Sequence, residues 1–230
     1  MINSEPVRDH ELFRQQRIAF GVAVAFLILA AVIFVMMANP ASAAWLQHID
    51  DAVREGAQAI QWGPVTVLAN VLNIIGIWYV TWPLRFVVAG WLWARKRWEA
   101  LWVWLVALAI YEPLVGIVKE LYGRERPPDP TVAVTGLSFP SGHATVGAAV
   151  AIGLVMVVVP AGPRQRYYEV LAGGFAFLMA GSRVYLDAHW LSDVVAGVAL
   201  GASVMIGVGA VVHEINDRMH DRRVPAGPSG

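Results

Sequence analysis

The chain contains no cysteine, which excludes disulfide scaffolds, thiol nucleophiles, iron–sulfur clusters and cysteine-ligated zinc together. It is also poor in charge, with only 15% of its 230 residues Asp, Glu, Lys or Arg, against roughly 25% in ordinary soluble domains. Neither sign is in excess. Seventeen basic and seventeen acidic residues cancel, so no global basic surface points to nucleic acid and there is no acidic tail. Internal repeats, low-complexity tracts and strand-like alternation are missing as well. What the chain has in quantity is apolar: 57% hydrophobic residues, ten Trp and a mean hydropathy of +0.56. That composition describes one bundle with most of its mass in lipid.

Residues 18–38 run for twenty-one positions without a charge, enough at about 1.5 Å per residue to cover a hydrocarbon core of roughly 30 Å. Arg14 and Arg17 precede this run and Ala41-Ser42-Ala43 resembles a signal-peptidase site. Signal h-regions, however, reach only about 7 to 15 residues, so an uncleaved anchor is expected. Further spans are expected over residues 75–94, 98–118, 144–159, 168–185 and 194–212, separated mostly by Pro, Arg and Gly clusters. The expected fold is therefore all-α: a polytopic membrane bundle of about six transmembrane helices over residues 18–213. Cytoplasmic segments flank it at 1–17 and 214–230, and residues 225–230 read as a free tail. Between the first two spans, Trp45, Leu46, Ile49, Val53 and Ile60 recur at helical spacing while Asp50, Asp51, Arg54 and Glu55 fall elsewhere. This is the pattern of an amphipathic helix lying in the interface. The apolar run 65–74 follows it, and the two together are expected to line a lateral opening between helices.

Orientation follows from where Lys and Arg gather. With the N-terminus cytoplasmic, that side holds Arg8, Arg14, Arg17, Arg95, Lys96, Arg97, Arg164, Arg166, Arg218, Arg222 and Arg223, eleven of the seventeen. The other side holds Arg54, Lys119, Arg124, Arg126 and Arg183, and Arg85 lies inside the second span. Four of those five outer cations fall in two loops that the topology puts on one face. A charge within a span is costly and by default functional, which singles out Arg85; Glu112, in the outer half of the third span beside Pro113, is expected to pair with one of the outer cations. Snorkelling or pairing within the bundle is the plainer alternative for Arg85, as is a helix-packing hydrogen bond for Glu112. For Arg124 and Glu125 the reading is a surface ion pair, with substrate contact as the alternative.

Three short segments carry nearly all the remaining polar residues of interest. Lys119 is followed after six residues by Arg126-Pro127; Pro140-Ser141-Gly142-His143 opens the fourth span; and Ser182-Arg183, His189 and Asp193 bridge the fifth and sixth. Read physically, these parts suit a phosphate dianion. Lys119, Arg126 and Arg183 supply three positive charges, two of them as guanidinium forks matched to phosphoryl oxygens. Ser141, Gly142 and His143 sit at a helix start, where N–H groups lack intrahelical partners and the dipole favours an anion. Gly142 has no Cβ to hold the backbone away. His189 and Asp193, four apart, share a helix face, so the carboxylate can fix the imidazole tautomer of a nucleophilic histidine. His143, on another helix, is placed to protonate a leaving oxygen. Each segment also has a plainer reading, as an interfacial histidine, a turn and cap, a two-ligand metal site or a lipid headgroup contact.

The three segments resemble, with every signature position present, the three motifs of the type 2 phosphatidic acid phosphatase superfamily. These are membrane lipid phosphatases related to vanadium haloperoxidases and bacterial soluble acid phosphatases. The resemblance implies an enzyme in which His189 forms a phosphohistidine, Asp193 orients it and His143 acts as acid. It also implies that Lys119, Arg126, Ser141, Gly142 and Arg183 bind the phosphate, and that neither cofactor nor metal is needed. The expected substrate is a lipid phosphate monoester or pyrophosphate of the phosphatidate, phosphatidylglycerophosphate or polyprenyl pyrophosphate type, reached from the bilayer at the outer face of the cell membrane. Two other functions fit the same cations: hydrolysis of a soluble phosphate ester, and non-catalytic capture or transport of lipid phosphates. Capture alone has no use for His143, His189 and Asp193.

The alternation of basic loops is directly testable, because single cysteines can be introduced into this Cys-free chain. Membrane-impermeant thiol reagents applied from outside should label positions within 119–143 in intact cells and leave positions 97 and 164 unlabelled until the membrane is opened. Outside labelling at 97 or 164 would overturn the assigned orientation.

Overall fold

The computed structural model describes residues 5–160 and 162–221. Among these the chain forms eight helices: α1 (Glu5–Ala38), α2 (Pro40–Ala59), α3 (Gly63–Gly76), α4 (Trp78–Ala94), α5 (Trp98–Tyr122), α6 (Gly142–Val158), α7 (Pro163–Tyr185) and α8 (Leu191–Asp221). The architecture is the expected all-α membrane bundle. Helices α1 from Arg17, α5 and α8 to Met219 are each long and apolar enough to cross a membrane, and α3 with α4 makes a fourth such element, bent by 56°. Helix α6 is apolar throughout but only 17 residues long, about 25 Å. Its neighbours enclose it along most of its length. Helix α7 has the length, at 23 residues, but holds Glu169 and Arg183, which lower its apolarity. By length and composition three helices, or four with the bent pair counted as one, can cross a membrane; α6 and α7 occupy the places of the fourth and fifth expected spans.

Two boundaries differ from expectation. The second span breaks at Ile77, an extended residue between α3 and α4, so the apolar run 65–74 belongs to a helix that meets α4 at an angle. Helix α8 continues past residue 212 to Asp221, carried by polar pairs at its exposed end such as Arg218 to Glu214 at 2.7 Å. The tail expected at 225–230 lies outside the described residues. The interfacial helix forms as α2, started by Pro40 at its first turn and by Asn39, whose side chain accepts from Ala41 N at 3.0 Å.

Large apolar side chains face outward in numbers a soluble protein does not show, among them Phe20, Ile28, Val35, Trp78, Phe86, Val87 and Phe177. The interior core lies where α4, α5, α6 and α8 meet, around Leu92, Trp104, Ala107, Tyr111, Ala149, Val157 and Met205. The one charge buried within it, Arg85, is ion-paired to Glu112 across α4 and α5 and lies over the rings of Trp82 and Tyr111 at 5.0 and 5.7 Å. Pairing within the bundle is therefore the correct account of both residues, and Glu112 does not reach the outer cations.

Helix α6 is gripped by α8 through small residues. A Cβ added at Gly201 would stand 2.2 Å from the Thr145 carbonyl oxygen, and one at Gly197 would stand 2.6 Å from that of Ser141. The two backbones touch, which in lipid supplies the packing that the hydrophobic effect does not. Gly201→Ala should lower the melting temperature in detergent, with overpacking costing about 1–3 kcal/mol. Gly173→Ala, where nothing lies within 4 Å, should leave it unchanged or slightly raised. Equal melting temperatures for the two variants would show that the contact is not tight.

Candidate active site

The end of α5, the start of α6, the end of α7 and the start of α8 converge at one end of the bundle, which brings all eight expected site residues together. Three local features arrange this. Gly123 ends α5 in a left-handed conformation at φ 57°, returning its N–H to Lys119 O at 3.0 Å, a conformation glycine adopts without penalty. Ser141 caps α6, its hydroxyl accepting from Ala144 N at 3.4 Å. The turn after α7 folds back so that Ala188 N and His189 N both donate to Arg183 O.

At the centre is the Asp193 carboxylate, wholly buried. Its Oδ2 accepts from Trp190 N at 2.9 Å, from His189 Nδ1 at 3.3 Å and from the Ser138 hydroxyl. Its Oδ1 accepts from Arg124 Nη1 at 2.7 Å. The other imidazole nitrogen, His189 Nε2, lies 2.9 Å from Arg126 Nη1. Guanidinium can only donate, so Nε2 is the acceptor and the proton resides on Nδ1. The lone pair of a histidine held by a carboxylate thus points at a cation suited to phosphate.

Arg126 is itself fixed by carbonyl oxygens, donating to Ala188 at 2.7 Å, Gly136 at 2.9 Å, Thr135 at 3.0 Å and Leu137 at 3.2 Å. Lys119 Nζ donates to the carbonyls of Leu137 and Ser138. Arg183 is buried with its Nε unpaired, while Nη1 donates to the Asn73 side chain. His143 Nε2 lies 3.1 Å from Asn73 O. Its ring packs so closely on Gly76 that a Cβ there would stand 2.3 Å from His143 Cδ2. One expectation needs correcting: Ser141 N donates to the backbone carbonyl of Asp193 at 3.0 Å. Ser141 therefore joins α6 to α8, and the N–H groups left without an intrahelical acceptor at the helix start are those of Gly142 and His143. Among the described residues no three His, Asp or Glu side chains cluster as metal ligands.

Residues 98–217 match the model of the PAP2 superfamily. The chain belongs to that superfamily. It is 31% identical over 182 residues to phosphatidylglycerophosphatase B of Bacillus subtilis, covering 76% of this chain and 85% of that one. It is 34% identical over 163 residues to decaprenylphosphoryl-5-phosphoribose phosphatase of Mycobacterium tuberculosis, covering 64% and 78%. Its fold superposes on the crystal structure of the transmembrane PAP2-type phosphatidylglycerolphosphate phosphatase from Bacillus subtilis with a TM-score of 0.71 at 25% identity, covering 86% and 96%. On Aquifex aeolicus LpxE the TM-score is 0.54 at 20% identity, covering 71% and 93%. As a PAP2 protein embedded in the membrane, the chain is a phosphatase.

Four polar residues around this PAP2 site escape the motif pattern. Ser138 and Arg124 hold Asp193; Asn73 holds Arg183 and His143; Asp50, on α2, holds Arg124 at 2.6 Å. Arg124 is not the surface ion pair expected of it. Its side chain is 9% exposed between Asp50 and Asp193, with Trp190 stacked at 5.5 Å. For Asp50 and Asn73 the helical period gives only a polar position, since their partners are at least seventy residues away.

Burial holds the His189 imidazole well below its ordinary range, to about 4. Asp193 pulls it upward, while Arg126 and Arg183 push in the same direction as burial. The ring is therefore neutral at pH 7. In the unfolded chain it titrates near 6.5, so between those values the unfolded state binds more protons and stability rises with pH. Thermal stability should accordingly fall as the pH is lowered from about 6.5 towards 4, and His189→Gln should flatten part of that fall. An unchanged slope in the variant would mean that the ring is not held neutral.

Proposed function

We propose that the protein hydrolyses phosphate carried on a membrane lipid, at the outer face of the cell membrane, with both termini cytoplasmic. The observation that carries this reading is the histidine with its Nδ1 proton on Asp193 and its Nε2 lone pair toward Arg126. Lys119, Arg126 and Arg183, with the N–H groups of Gly142 and His143, hold the phosphoryl oxygens and stabilise the charge that builds during transfer. Nε2 of His189 attacks phosphorus in line, the phosphorus–oxygen ester bond breaks, and protonated His143 gives its proton to the leaving oxygen. Water deprotonated by His143 then attacks the phosphohistidine, the phosphorus–nitrogen bond breaks, and inorganic phosphate leaves.

Two relatives support a lipid substrate, one named for a glycerophospholipid phosphate and the other for a decaprenyl-linked sugar phosphate. Their common feature is a phosphate carried on a lipid, which arrives already near the depth of the helix ends. Tail contacts along α2 and α3 contribute binding energy that positions the phosphate for attack.

Purified protein should be compared on phosphatidate and on p-nitrophenyl phosphate, whose leaving group needs no proton. His143→Ala should lose about 10²–10⁴-fold on the lipid and recover much of that on the aryl ester. His189→Ala should lose both activities and form no phosphoenzyme. Equal rescue of the two variants would overturn the assignment. Short soluble phosphates turned over with the same kcat/KM as long-chain lipids would replace the lipid reading with that of a soluble-ester phosphatase.

A further inference from the structure

Helix α2 carries a charged residue that its role as an interfacial cover does not require. Two other contacts already dock α2 on the bundle: Arg54 to Asp187 at 2.8 Å and Gln58 to Asp187 at 3.1 Å. Asp50, by contrast, is 1% exposed and aimed inward. Its Oδ1 accepts from Ser192 N at 2.8 Å, and its Oδ2 accepts from Ser192 Oγ and Arg124 Nη2, both at 2.6 Å. Arg124 turns one nitrogen to Asp50 and the other to Asp193 Oδ1 at 2.7 Å, and Gln47 Oε1 accepts from it at 2.7 Å. Burying this many charges stabilises little beyond an apolar packing of the same volume. What it provides is direction. A planar guanidinium bridging two carboxylates fixes the rotation of the second, and with it the face that Oδ2 presents to His189.

We propose that Asp50 and Arg124 are positioning residues for phosphoryl transfer, locking Asp193 in the rotamer that holds His189 for attack, so that α2 is a working part of the active site. The proposal rests on His189 being the nucleophile. Asp50 and Arg124 act through Asp193 and Ser192 and not on the phosphate, which Lys119, Arg126 and Arg183 bind. Loss of the bridge should therefore slow the chemical step and leave substrate affinity alone. Partner groups of this kind, one step removed from a reacting residue, are worth about 10–100-fold.

The test is rapid-quench measurement of phosphoenzyme formation by the full-length protein in detergent, using phosphatidate radiolabelled in its phosphate. For Asp50→Asn, nearly isosteric, the expected result, read in single turnover with enzyme in excess, is a rate constant for phosphoenzyme formation lower by about 10–100-fold, with the concentration giving half the maximal rate as in the parent protein. Arg124→Gln should behave alike, and combining the two should cost no more than Arg124→Gln alone, because Asp50 reaches Asp193 chiefly through Arg124. A structural role alone would lower the fraction of correctly folded molecules and leave the rate constant untouched; that result overturns the proposal. If Asp50→Asn does not yield folded protein, Arg124→Lys reads the same bridge. One ammonium cannot span both carboxylates as the guanidinium fork does, and a parental rate constant there overturns the proposal too. Failure of the underlying reading is distinguishable, since the parent protein would then form no phosphoenzyme that depends on His189.

Discussion

A carboxylate placed where no water reaches it must be surrounded by donors, and the Asp193 side chain imposes that constraint on the whole end of the bundle that carries the site. Left unpaired it would cost several kcal/mol. Its two oxygens instead receive Arg124, Ser138, Trp190 and His189, groups drawn from the segment after α5, the turn before α8 and the loop leading into α6. Satisfying one ion thus dictates where two connections run, from α5 to α6 and from α7 to α8. The same arrangement gives His189 a single tautomer and leaves its Nε2 facing Arg126, so the requirement that stabilises the fold also orients the histidine proposed as nucleophile. Charges alternate outward from this point, Asp193 to Arg124 to Asp50, and the alternation lets so many ions coexist in a small volume.

The scaffold around this point is rigid for reasons particular to lipid. Helices α6 and α8 meet closely at Gly197 and Gly201, and their ends at the site are joined by the Ser141 to Asp193 backbone bond. Aromatic rings close the neighbouring side: Phe34, Tyr122 and Phe139 pack edge to face or tilted at 5.0 to 6.0 Å, and the Tyr122 hydroxyl donates to Phe34 O at 2.8 Å. The first helix is thereby fastened to the loop that carries Ser138. Helix α3, joined to α4 through an extended residue and a 56° bend, reaches the site at Gly76, against which the His143 ring packs.

Much of this was legible in the sequence, and where it was not the reason is physical. Uninterrupted apolar runs and clustered basic loops identify spans because the bilayer tolerates few alternatives, and Lys119, Arg126, His143, Arg183, His189 and Asp193 stand out because polar residues are scarce in such a chain. For Ser141, only the expected free backbone N–H was misjudged: a helix-start N–H has no partner within its own helix, but nothing local tells that a carbonyl on α8 will take it. Asp50 looked like one more polar residue on an amphipathic helix. Its burial depends on Ser192, 142 positions later, a separation that no periodicity records. Arg124 looked solvated for the same reason, and the break at Ile77 lies within an unbroken apolar run whose hydropathy does not change there.

That separation also orders events during biosynthesis. Asp50 emerges early, but Ser192 and Asp193 belong to the final span, which packs against α1 and α6 and so must be threaded into a bundle whose other members already exist. Until it arrives, Arg124 has no Asp193 to turn toward and His189 has no carboxylate to hold its proton. A nascent or truncated chain can therefore insert most of its helices, and even gather its cations, without cleaving a single phosphate in the membrane that receives it. Catalytic competence is acquired in one late step, with the docking of the last helix.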